Sequence, residues 1–376
     1  MRNTSWKRER AWIEVNKKNL AHNVKILRDA MPKGCELMAV VKAEAYGHGA
    51  YAVSRHLNKL GVFAFAVATA EEGIKLRQGG VQGEILILGY TNVCRAYELK
   101  KYNLTQTIID YDYARALNSQ RVKVKVHVKI DTGMHRLGIG WREHERAVGV
   151  FSMKYLNVTG VFTHLSCSDS LEKRDISFTR LQIRRFYRCV GRLKSRGAVI
   201  PKVHLQSSYG LLNYPQLSCD YVRAGVALYG CLSSPGDKTL LKLDLRPVLS
   251  LKARVVLIRE IKKGEAFGYG RNFIAQRDSR IAILSIGYGD GYPRNLSCSQ
   301  GMAKIRGYQL PVIGNICMDQ MAVDITDAEG ILPGDTATLI GEGDLSASSV
   351  AEYGGSISNE LLCRLGGRLP VVIRYS

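Results

Sequence analysis

Short apolar runs recur along the first two thirds of the chain, and segments with a different periodicity separate them. The runs have strand length and cover residues 37–41, 63–68, 84–89, 104–109, 124–130, 158–165, 202–207 and 221–228. Between most of them, stretches such as EEGIKLRQGG and FTRLQIRRFYRCVGRL place apolar residues at the roughly 3.6-residue period of a helix. Strands that are apolar on both faces are typical of a parallel sheet covered by helices.

Eight strands that alternate with helices over about 230 residues predict an α/β fold with a closed (β/α)8 barrel, which we assign to residues 12–243. The alternative is an open, doubly wound sheet. Such a sheet is expected to carry a G-x-G-x-x-G turn after its first strand. The segment that follows the first predicted strand of the barrel, KAEAYGHGA, does not fit this pattern, and the barrel is therefore favoured.

After residue 243 the pattern changes to short β-rich runs separated by Gly, Asp and Pro turns. Examples are LSLKARVVLIREI, SRIAILSIGYG and DTATLIG. In this part only SASSVAEYG has the periodicity of a helix. We therefore predict a second, mostly β domain over residues 244–376, with residues 1–11 packing against it.

The composition is that of an ordinary globular protein, with 46% hydrophobic and 23% charged residues among 376. We find no apolar run long enough to span a membrane and no signal peptide. Nine scattered cysteines form no CxxC pair, which predicts reduced thiols in a cytoplasmic protein and argues against a zinc site.

The chain carries a formal net charge of +21, and seven Lys or Arg residues fall between Arg180 and Arg196 without an acid among them. An anionic partner, such as nucleic acid or an acidic membrane surface, is one interpretation. A solvated helix face in a basic protein is the favoured one, because no nucleic-acid-binding module accompanies the charge. We therefore predict no nucleic-acid partner.

Chemically active side chains follow the predicted barrel strands at their carboxyl ends, where barrel enzymes hold their active sites. They are Lys42, Tyr46, Arg136, His164, Ser207, Ser208, Arg223 and, beside the last, Gly225. No pair of carboxylates joins them, which argues against a glycosidase. No set of His, Asp and Glu with metal-ligand spacing is present, so we predict no metal.

A lysine among cations suits Schiff-base chemistry, because neighbouring positive charge and desolvation favour its free amine. Hydroxyl groups and backbone N–H groups near Gly225 suit a phosphate. An aldehyde and a phosphate in one ligand describe pyridoxal 5′-phosphate (PLP).

The segment AVVKAEAYGHG resembles the PLP-attachment segment of the alanine racemase family. KIDTGMHRLG, VRAGVALYG, FGYGRNF, IGYGDGY and ICMDQ follow in family order over nearly the whole chain. The resemblance implies a PLP-binding barrel followed by a β domain. It also implies an isomerase that interconverts L- and D-alanine and supplies D-amino acids for peptidoglycan precursors.

The resemblance also assigns the cofactor-binding residues. Lys42 would carry PLP and act as one of two bases, and Tyr46, Ser208 and the backbone of Gly225 and Val226 would bind the phosphate. His164 would pack beside the cofactor ring. Arg223 would hydrogen-bond the pyridine nitrogen, and as a side chain with donors only it would keep that nitrogen unprotonated.

The same resemblance places part of the site on a partner subunit, so that a homodimer with shared active sites is implied. Tyr269 from the partner would be the second base, opposite Lys42. Arg136, Met318 and Tyr288 would bind or admit a small amino-acid substrate. Lys129 stands at a position that is carbamylated in some relatives and supports the arginine.

Three positions depart from the family pattern. Glu44 replaces an asparagine, QSSYG replaces an NSAG-like sequence, and Asn359 stands where a tyrosine helps to bind the phosphate. We predict Asn359 as a cofactor-binding residue that also admits serine. These features resemble the serine/alanine racemases of vancomycin-resistance clusters, in which a membrane-spanning domain precedes the racemase domain. Such a domain, outside this chain, would make this one the cytoplasmic part of an anchored protein.

Three other classes stay open at this point. A PLP-barrel decarboxylase of basic amino acids would share the fold class, and a non-catalytic PLP-binding protein would share the barrel. An anion- or nucleic-acid-binding protein would use the basic helix. ICMDQ and a second domain that carries Tyr269 favour the racemase.

Overall fold

The computed structural model describes residues 8–374. The described chain begins with strand β1 (Ala11–Asn16) and helix α1 (Lys17–Ala30). The barrel elements then follow: β2 (Glu36–Val40), α2 (Lys42–Tyr46), α3 (Ala50–Lys59), β3 (Ala64–Val67), α4 (Ala70–Gln78), β4 (Glu84–Ile87), α5 (Ala96–Lys101), β5 (Thr105–Ile108), α6 (Tyr111–Ser119), β6 (Val124–Asp131), β7 (Ile139–Gly140), α7 (His144–Phe151), β8 (Leu156–Phe162), α8 (Lys173–Ser195), β9 (Val203–His204), β10 (Gln206–Ser207), α9 (Ser208–Asn213) and β11 (Tyr221–Ala224).

The barrel sheet is parallel and closed. Its strand order is β10-β11-β2-β3-β4-β5-β6-β8-β9, and β7 pairs with β6 outside this path. Only Leu205 separates β9 from β10, so one interrupted strand pairs with β8 on one side and with β11 on the other. Each of the eight predicted apolar runs overlaps a barrel strand, and the predicted barrel is confirmed.

The second domain is built on a mostly antiparallel sheet. Its elements are β12 (Leu249–Ile261), β13 (Ala266–Phe267), β14 (Phe273–Ile274), β15 (Ser279–Leu284), β16 (Met302–Ile305), β17 (Tyr308–Ile313), β18 (Met321–Asp324), β19 (Thr336–Ile340), α10 (Ala347–Tyr353), α11 (Ser358–Arg364) and β20 (Val371–Arg374). The sheet order is β15-β18-β17-β16-β19-β12-β1-β20, and the long strand β12 also pairs with β15. The sequence predicts α10 and misses α11.

Strand β1 corrects the predicted start of the barrel at residue 12. It lies between β12, antiparallel, and β20, parallel, and so belongs to the second sheet. The alternation in AWIEVN predicts a strand but cannot specify its partner, because pairing depends on residues more than two hundred positions away. Of the predicted segment 1–11, residues 1–7 lie outside the described part of the chain, and Arg10 pairs with Asp290 of the second domain at 2.6 Å.

A left-handed turn follows the first barrel strand. Ala43, Glu44, Ala45 and Tyr46 have φ angles of 50°, 53°, 54° and 53°. This conformation costs an L-residue roughly 1–2 kcal/mol, so neighbouring groups must hold it. The carboxylate of Glu72 accepts the N–H of Ala43 at 2.6 Å and that of Ala68 at 2.7 Å. Glu72 is part of the N-terminal cap of α4, so the same side chain holds both the start of this helix and the turn.

Helix α11 of the second domain packs directly on this turn. Gly47, with a φ of +76°, ends the turn so close to α11 that a Cβ there would collide with the carbonyl group of Leu362. The absence of a side chain at this position is therefore what lets the two domains meet beside Lys42.

We expect Gly47→Ala to destabilise the protein by at least about 2 kcal/mol more than Gly34→Ala. Gly34 is the matched control because its φ of +78° is similar while no atom lies within 4 Å of a Cβ added there. Equilibrium unfolding in urea measures both changes. Equal losses of stability would show that backbone strain alone, and not the contact with α11, sets the requirement for glycine.

Candidate active site

A cavity of about 490 Å³ opens at the carboxyl ends of the barrel strands. It brings together most of the residues that the sequence predicts for the site. Those that line it are Lys42, Tyr46, Arg136, His164, Ser207, Ser208, Arg223, Gly225, Val226 and Asn359. Lys129 lines it as well.

Arg223 is buried in the barrel interior, at 4% exposure. One terminal nitrogen, Nη1, lies 2.7 Å from Nδ1 of His204, while the other donates to the carbonyl group of Thr163 at 2.9 Å. Burial lowers the pKa of Arg223 to about 10, so the guanidinium stays charged at neutral pH. It therefore offers only donors to the cavity.

His164 is held in its neutral form. Burial, and then the charge of Arg223, lower its pKa to about 3. Its Nδ1 lies 3.2 Å from Nη2 of Arg223 and accepts from it, which leaves the proton of the neutral ring on Nε2. A neutral imidazole can pack beside an aromatic ligand without adding charge to the cavity.

The hydroxyl group of Ser208 organises the backbone after β11. It accepts the N–H of Gly225 at 3.0 Å and that of Ala227 at 3.3 Å. Gly225 is also the place where the phenol of Tyr46 comes close, since a Cβ there would lie 2.7 Å from the Tyr46 hydroxyl oxygen. Hydroxyl groups and backbone N–H groups thus form a cradle of the kind that binds phosphate.

Positive charge dominates the cavity. Its lining contains Lys42, Lys129, Arg136 and Arg223, and Asp169 is the one carboxylate among the lining residues. Burial, followed by Arg136 and then Arg223, lowers the pKa of Lys129 to about 8. The surplus of cations suits a ligand with two anionic groups, such as a phosphate and a carboxylate.

These residues fit PLP. Lys42 supplies an amine at the end of β2, the Ser208 and Tyr46 hydroxyl groups supply a cradle that a side chain at 225 would fill, and Arg223 supplies a buried donor. Each requirement of the cofactor, namely an aldehyde partner, a phosphate site and a ring-nitrogen partner, is met by a separate element of the barrel.

Three predicted residues lie elsewhere. Tyr269, Met318 and Tyr288 do not line the cavity and are 72%, 52% and 40% exposed on the second domain. They lie near one another. Asn315, three residues before Met318, donates to the carbonyl group of Tyr269 at 2.8 Å, and Gly289, which follows Tyr288, donates to that of Met318 at 2.8 Å. A single chain does not bring them into this cavity.

The structure also adds residues that the sequence does not single out. Ser233 lines the cavity, and its hydroxyl group donates to Oδ1 of Asn359 at 2.9 Å. Tyr209 lines it too, and its hydroxyl accepts the N–H of Ser233 at 2.6 Å. Tyr209 belongs to QSSYG, one of the departures from the family pattern. That departure is the one indication in the sequence that the side of the cavity formed by Tyr209 and Ser233 differs from that of other family members.

Family models of alanine racemase match both halves of the chain. The model of the alanine racemase N-terminal domain matches residues 15–233, and that of the C-terminal domain matches residues 248–373. The chain belongs to the alanine racemase family. Enzymes of this family depend on PLP, and the predicted resemblance and cofactor are thereby confirmed.

Similar proteins support the same assignment. The chain is 52% identical over 369 residues to an amino-acid racemase of Enterococcus faecalis, and 40% identical over 366 residues to a serine/alanine racemase of Enterococcus gallinarum. The alignments cover 97% of this chain in both cases and 52% of each relative, so the chain spans about half of their length. The solved alanine racemase of Clostridium difficile 630 is 32% identical, with a TM-score of 0.92 over 98% of this chain and 96% of that one.

Residues 8–374 contain neither a membrane-spanning helix nor a cluster of metal ligands. None of the helices there is both long and apolar enough to cross a membrane. No group of three or more His, Cys, Asp or Glu residues within that range is arranged to hold a metal ion.

We expect Lys129→Met to stabilise the apo protein by about 2 kcal/mol at pH 7. The pKa of Lys129 is about 8 when folded and near 10.5 ordinarily, so folding opposes its protonation. This penalty is fully present below pH 8 and disappears as the pH approaches 10.5, and the gain should shrink over that interval.

Unfolding in urea at pH 7, 9 and 10, in buffer free of carbon dioxide, measures the effect. Lys125→Met is the matched control because Lys125 lies on the same strand with its side chain exposed. A gain that stays constant with pH would mean that packing, and not charge burial, is the cause.

Proposed function

We propose that this chain racemises small amino acids with PLP, interconverting L- and D-alanine and also L- and D-serine, and that it supplies D-amino acids for peptidoglycan precursors. The active unit is a homodimer with shared sites, in which Lys42 of one chain and Tyr269 of the other act as the two bases. The observation that carries the proposal is the buried, donor-only Arg223 in the same cavity as Lys42.

Arg223 bears on the choice of reaction. A carboxylate beside the pyridine nitrogen would hold a proton there and strengthen the cofactor as an electron sink, whereas an arginine does not give up its proton and leaves that nitrogen unprotonated. When bound, PLP delocalises the charge left at Cα after proton removal, and a weakened sink favours rapid return of a proton over further chemistry. This supports racemisation rather than decarboxylation.

The cavity residues divide the remaining work. The hydroxyl groups of Ser208 and Tyr46 and the backbone near Gly225 bind the phosphate, and Arg136 binds the substrate carboxylate. The Lys42 amine removes or returns the proton at Cα from one face. A second base is required on the opposite face, because one amine cannot easily reach both.

Tyr269 supplies that base from a second chain. It is 72% exposed, and it lies near Met318 and Tyr288, which are exposed as well. A large exposed side chain whose position matches the family's second base suits a role in a neighbouring subunit's site. Met318 and Tyr288 then help to hold the substrate and to limit its access.

Serine is proposed as a second substrate because of Asn359. An amide in place of a phenol leaves more room, and its Oδ1 is already fixed by the hydroxyl group of Ser233. A polar wall can pair with the extra hydroxyl of serine, whereas an apolar wall neither binds nor strongly rejects it. The name of the Enterococcus gallinarum relative, serine/alanine racemase, supports this substrate.

The shared site predicts complementation between two inactive variants. Lys42→Ala and Tyr269→Phe should each lose at least about 100-fold in D-alanine formation from L-alanine. After mixing and exchange of subunits, half of the dimers are mixed and one of their two sites is complete, so about a quarter of the wild-type activity should return.

A mixture of Lys42→Ala with Arg136→Ala is the control, because both residues line the same chain's cavity and every mixed site stays defective. Failure to recover activity, with subunit exchange shown by mass, would exclude Tyr269 as a residue donated by the partner. If the wild-type protein forms neither D-alanine nor D-serine, the assignment as a racemase is wrong. Release of carbon dioxide from an amino acid would then identify a decarboxylase.

We expect Asn359→Tyr to lower the serine-to-alanine ratio of kcat/KM by about tenfold, because it fills the space and removes the amide. A chiral assay of both D-products measures the ratio. Asn359→Ala separates the two causes, since it removes the amide without adding bulk. An unchanged ratio in Asn359→Tyr would rule out Asn359 as the residue that admits serine.

A further inference from the structure

A chain of polar groups crosses the barrel from the cavity toward its opposite end. Nη1 of Arg223 lies 2.7 Å from Nδ1 of His204, and Nε2 of His204 lies 2.9 Å from Nδ1 of His127. Nε2 of His127 lies 3.2 Å from Oε1 of Glu84, the first residue of β4. We call these four residues the imidazole chain.

The two ends of the imidazole chain fix the position of every proton in it. Arg223 can only donate, so Nδ1 of His204 must accept and its proton lies on Nε2. That proton is donated to Nδ1 of His127, whose own proton is therefore on Nε2, the atom that lies at ion-pair distance from Glu84. An ionised carboxylate can only accept, and it completes the direction set by the arginine.

The charge states agree with this order. Burial, and then Arg223, lower the pKa of His204 well below its ordinary value, which keeps its ring neutral. Burial alone would raise the pKa of Glu84, but its interactions with His127, with smaller contributions from Tyr221 and Thr105, lower it to about 2. Glu84 is therefore ionised at neutral pH.

Local features of the backbone aim His127 along this path. The pairing of β6 with β8 shifts register between Val126 and His127, where β8 has one extra residue, and the shift places Gly160 rather than Thr159 opposite His127. Gly160 stands opposite, and a Cβ there would lie 2.6 Å from Nε2 of His127. The ring occupies space that any other residue at 160 would fill.

Glu84 is itself held in place from two sides. The hydroxyl group of Tyr221 donates to its Oε2 at 3.0 Å, and that of Thr105 donates to its Oε1 at 3.1 Å. The ring of His204 stacks on Phe162 with centroids 4.7 Å apart and an interplanar angle of 4°. The imidazole chain thus has little freedom to rearrange.

We propose that Glu84 is a positioning residue for Arg223, acting through His127 and His204. This inference rests on the proposed function, in which Arg223 contacts the cofactor ring. Glu84 places a negative charge beside Nε2 of His127, at the far end of the imidazole chain from the buried guanidinium, and so favours the proton on that nitrogen. Without Glu84, His127 can turn or move its proton to Nδ1, and His204 then presents a proton toward Arg223, where two donors repel each other.

The proton positions can be measured directly in the apo protein. Protein labelled with ¹⁵N in histidine should show both His127 and His204 with a proton on Nε2, and the His204 ring should stay neutral between pH 6 and 8. The variants His127→Gln and His204→Gln assign the two signals. A wild-type ring of either residue with its proton on Nδ1 would overturn the proposal.

The affinity for PLP gives the second measurement, by titration of the apo protein and absorbance of the bound cofactor. We expect Glu84→Leu to bind PLP about tenfold more weakly and Glu84→Gln, which keeps an acceptor oxygen, about threefold. Glu36→Gln is the matched control, because Glu36 begins β2 as Glu84 begins β4 but pairs with Lys202. It should stay within about twofold of wild type.

Gly160→Ala provides a test that changes no titratable group. By displacing His127 it should weaken PLP binding as Glu84→Leu does, and it should shift the same histidine signals. If Glu84→Leu does not fold, Glu84→Gln and Gly160→Ala give the answer. Wild-type PLP affinity in all folded variants, with unchanged histidine signals, would overturn the role of Glu84.

These readouts are independent of racemisation. Absence of D-products from the wild-type protein would reject the proposed function while the histidine and PLP measurements still decide the imidazole chain. Conversely, consider that the wild-type protein racemises alanine or serine while Glu84→Gln and Glu84→Leu bind PLP as tightly as Glu36→Gln does. That result would retain the proposed function and reject this inference.

Discussion

A permanent cation in the interior of a parallel barrel is the constraint on which the site depends. Within residues 8–374, no carboxylate contacts Arg223, and neutral acceptors surround its guanidinium. Such burial is tolerable only when every donor of the guanidinium faces an acceptor, because an unpaired buried polar group costs a large free energy of desolvation. The neutral state of His164 and the direction of the His204 contact both follow from that requirement.

The second constraint is the strained turn after β2, which places Lys42 and Tyr46. Neither its own residues nor the barrel alone account for its stability. Glu72 binds the start of the turn, and α11 covers its end at Gly47. The second domain is therefore more than a carrier of Tyr269, since it also supports the geometry of the cofactor site in its own chain.

The sequence predicts the barrel strands and most of the reactive residues in the cavity, because the strands are largely apolar and most of those residues lie at or just after the end of a strand. It does not predict the sheet that β1 joins, since pairing across the whole chain leaves no local trace. It also misses His127 and His204. A histidine within an apolar strand is usually a satisfied core residue, and only the register shift between β6 and β8 and the space at Gly160 reveal its direction.

The position of β1 has a consequence for the order of folding. This strand is made before the barrel, yet both of its neighbours, β12 and β20, follow the barrel in the chain. The sheet of the second domain cannot close until the ribosome has released nearly all of the described residues. A nascent chain would therefore carry β1, whose Ile13 and Val15 are buried in the finished sheet, without its two neighbouring strands throughout the synthesis of the barrel. The barrel must form while this apolar strand still waits for the sheet that will cover it.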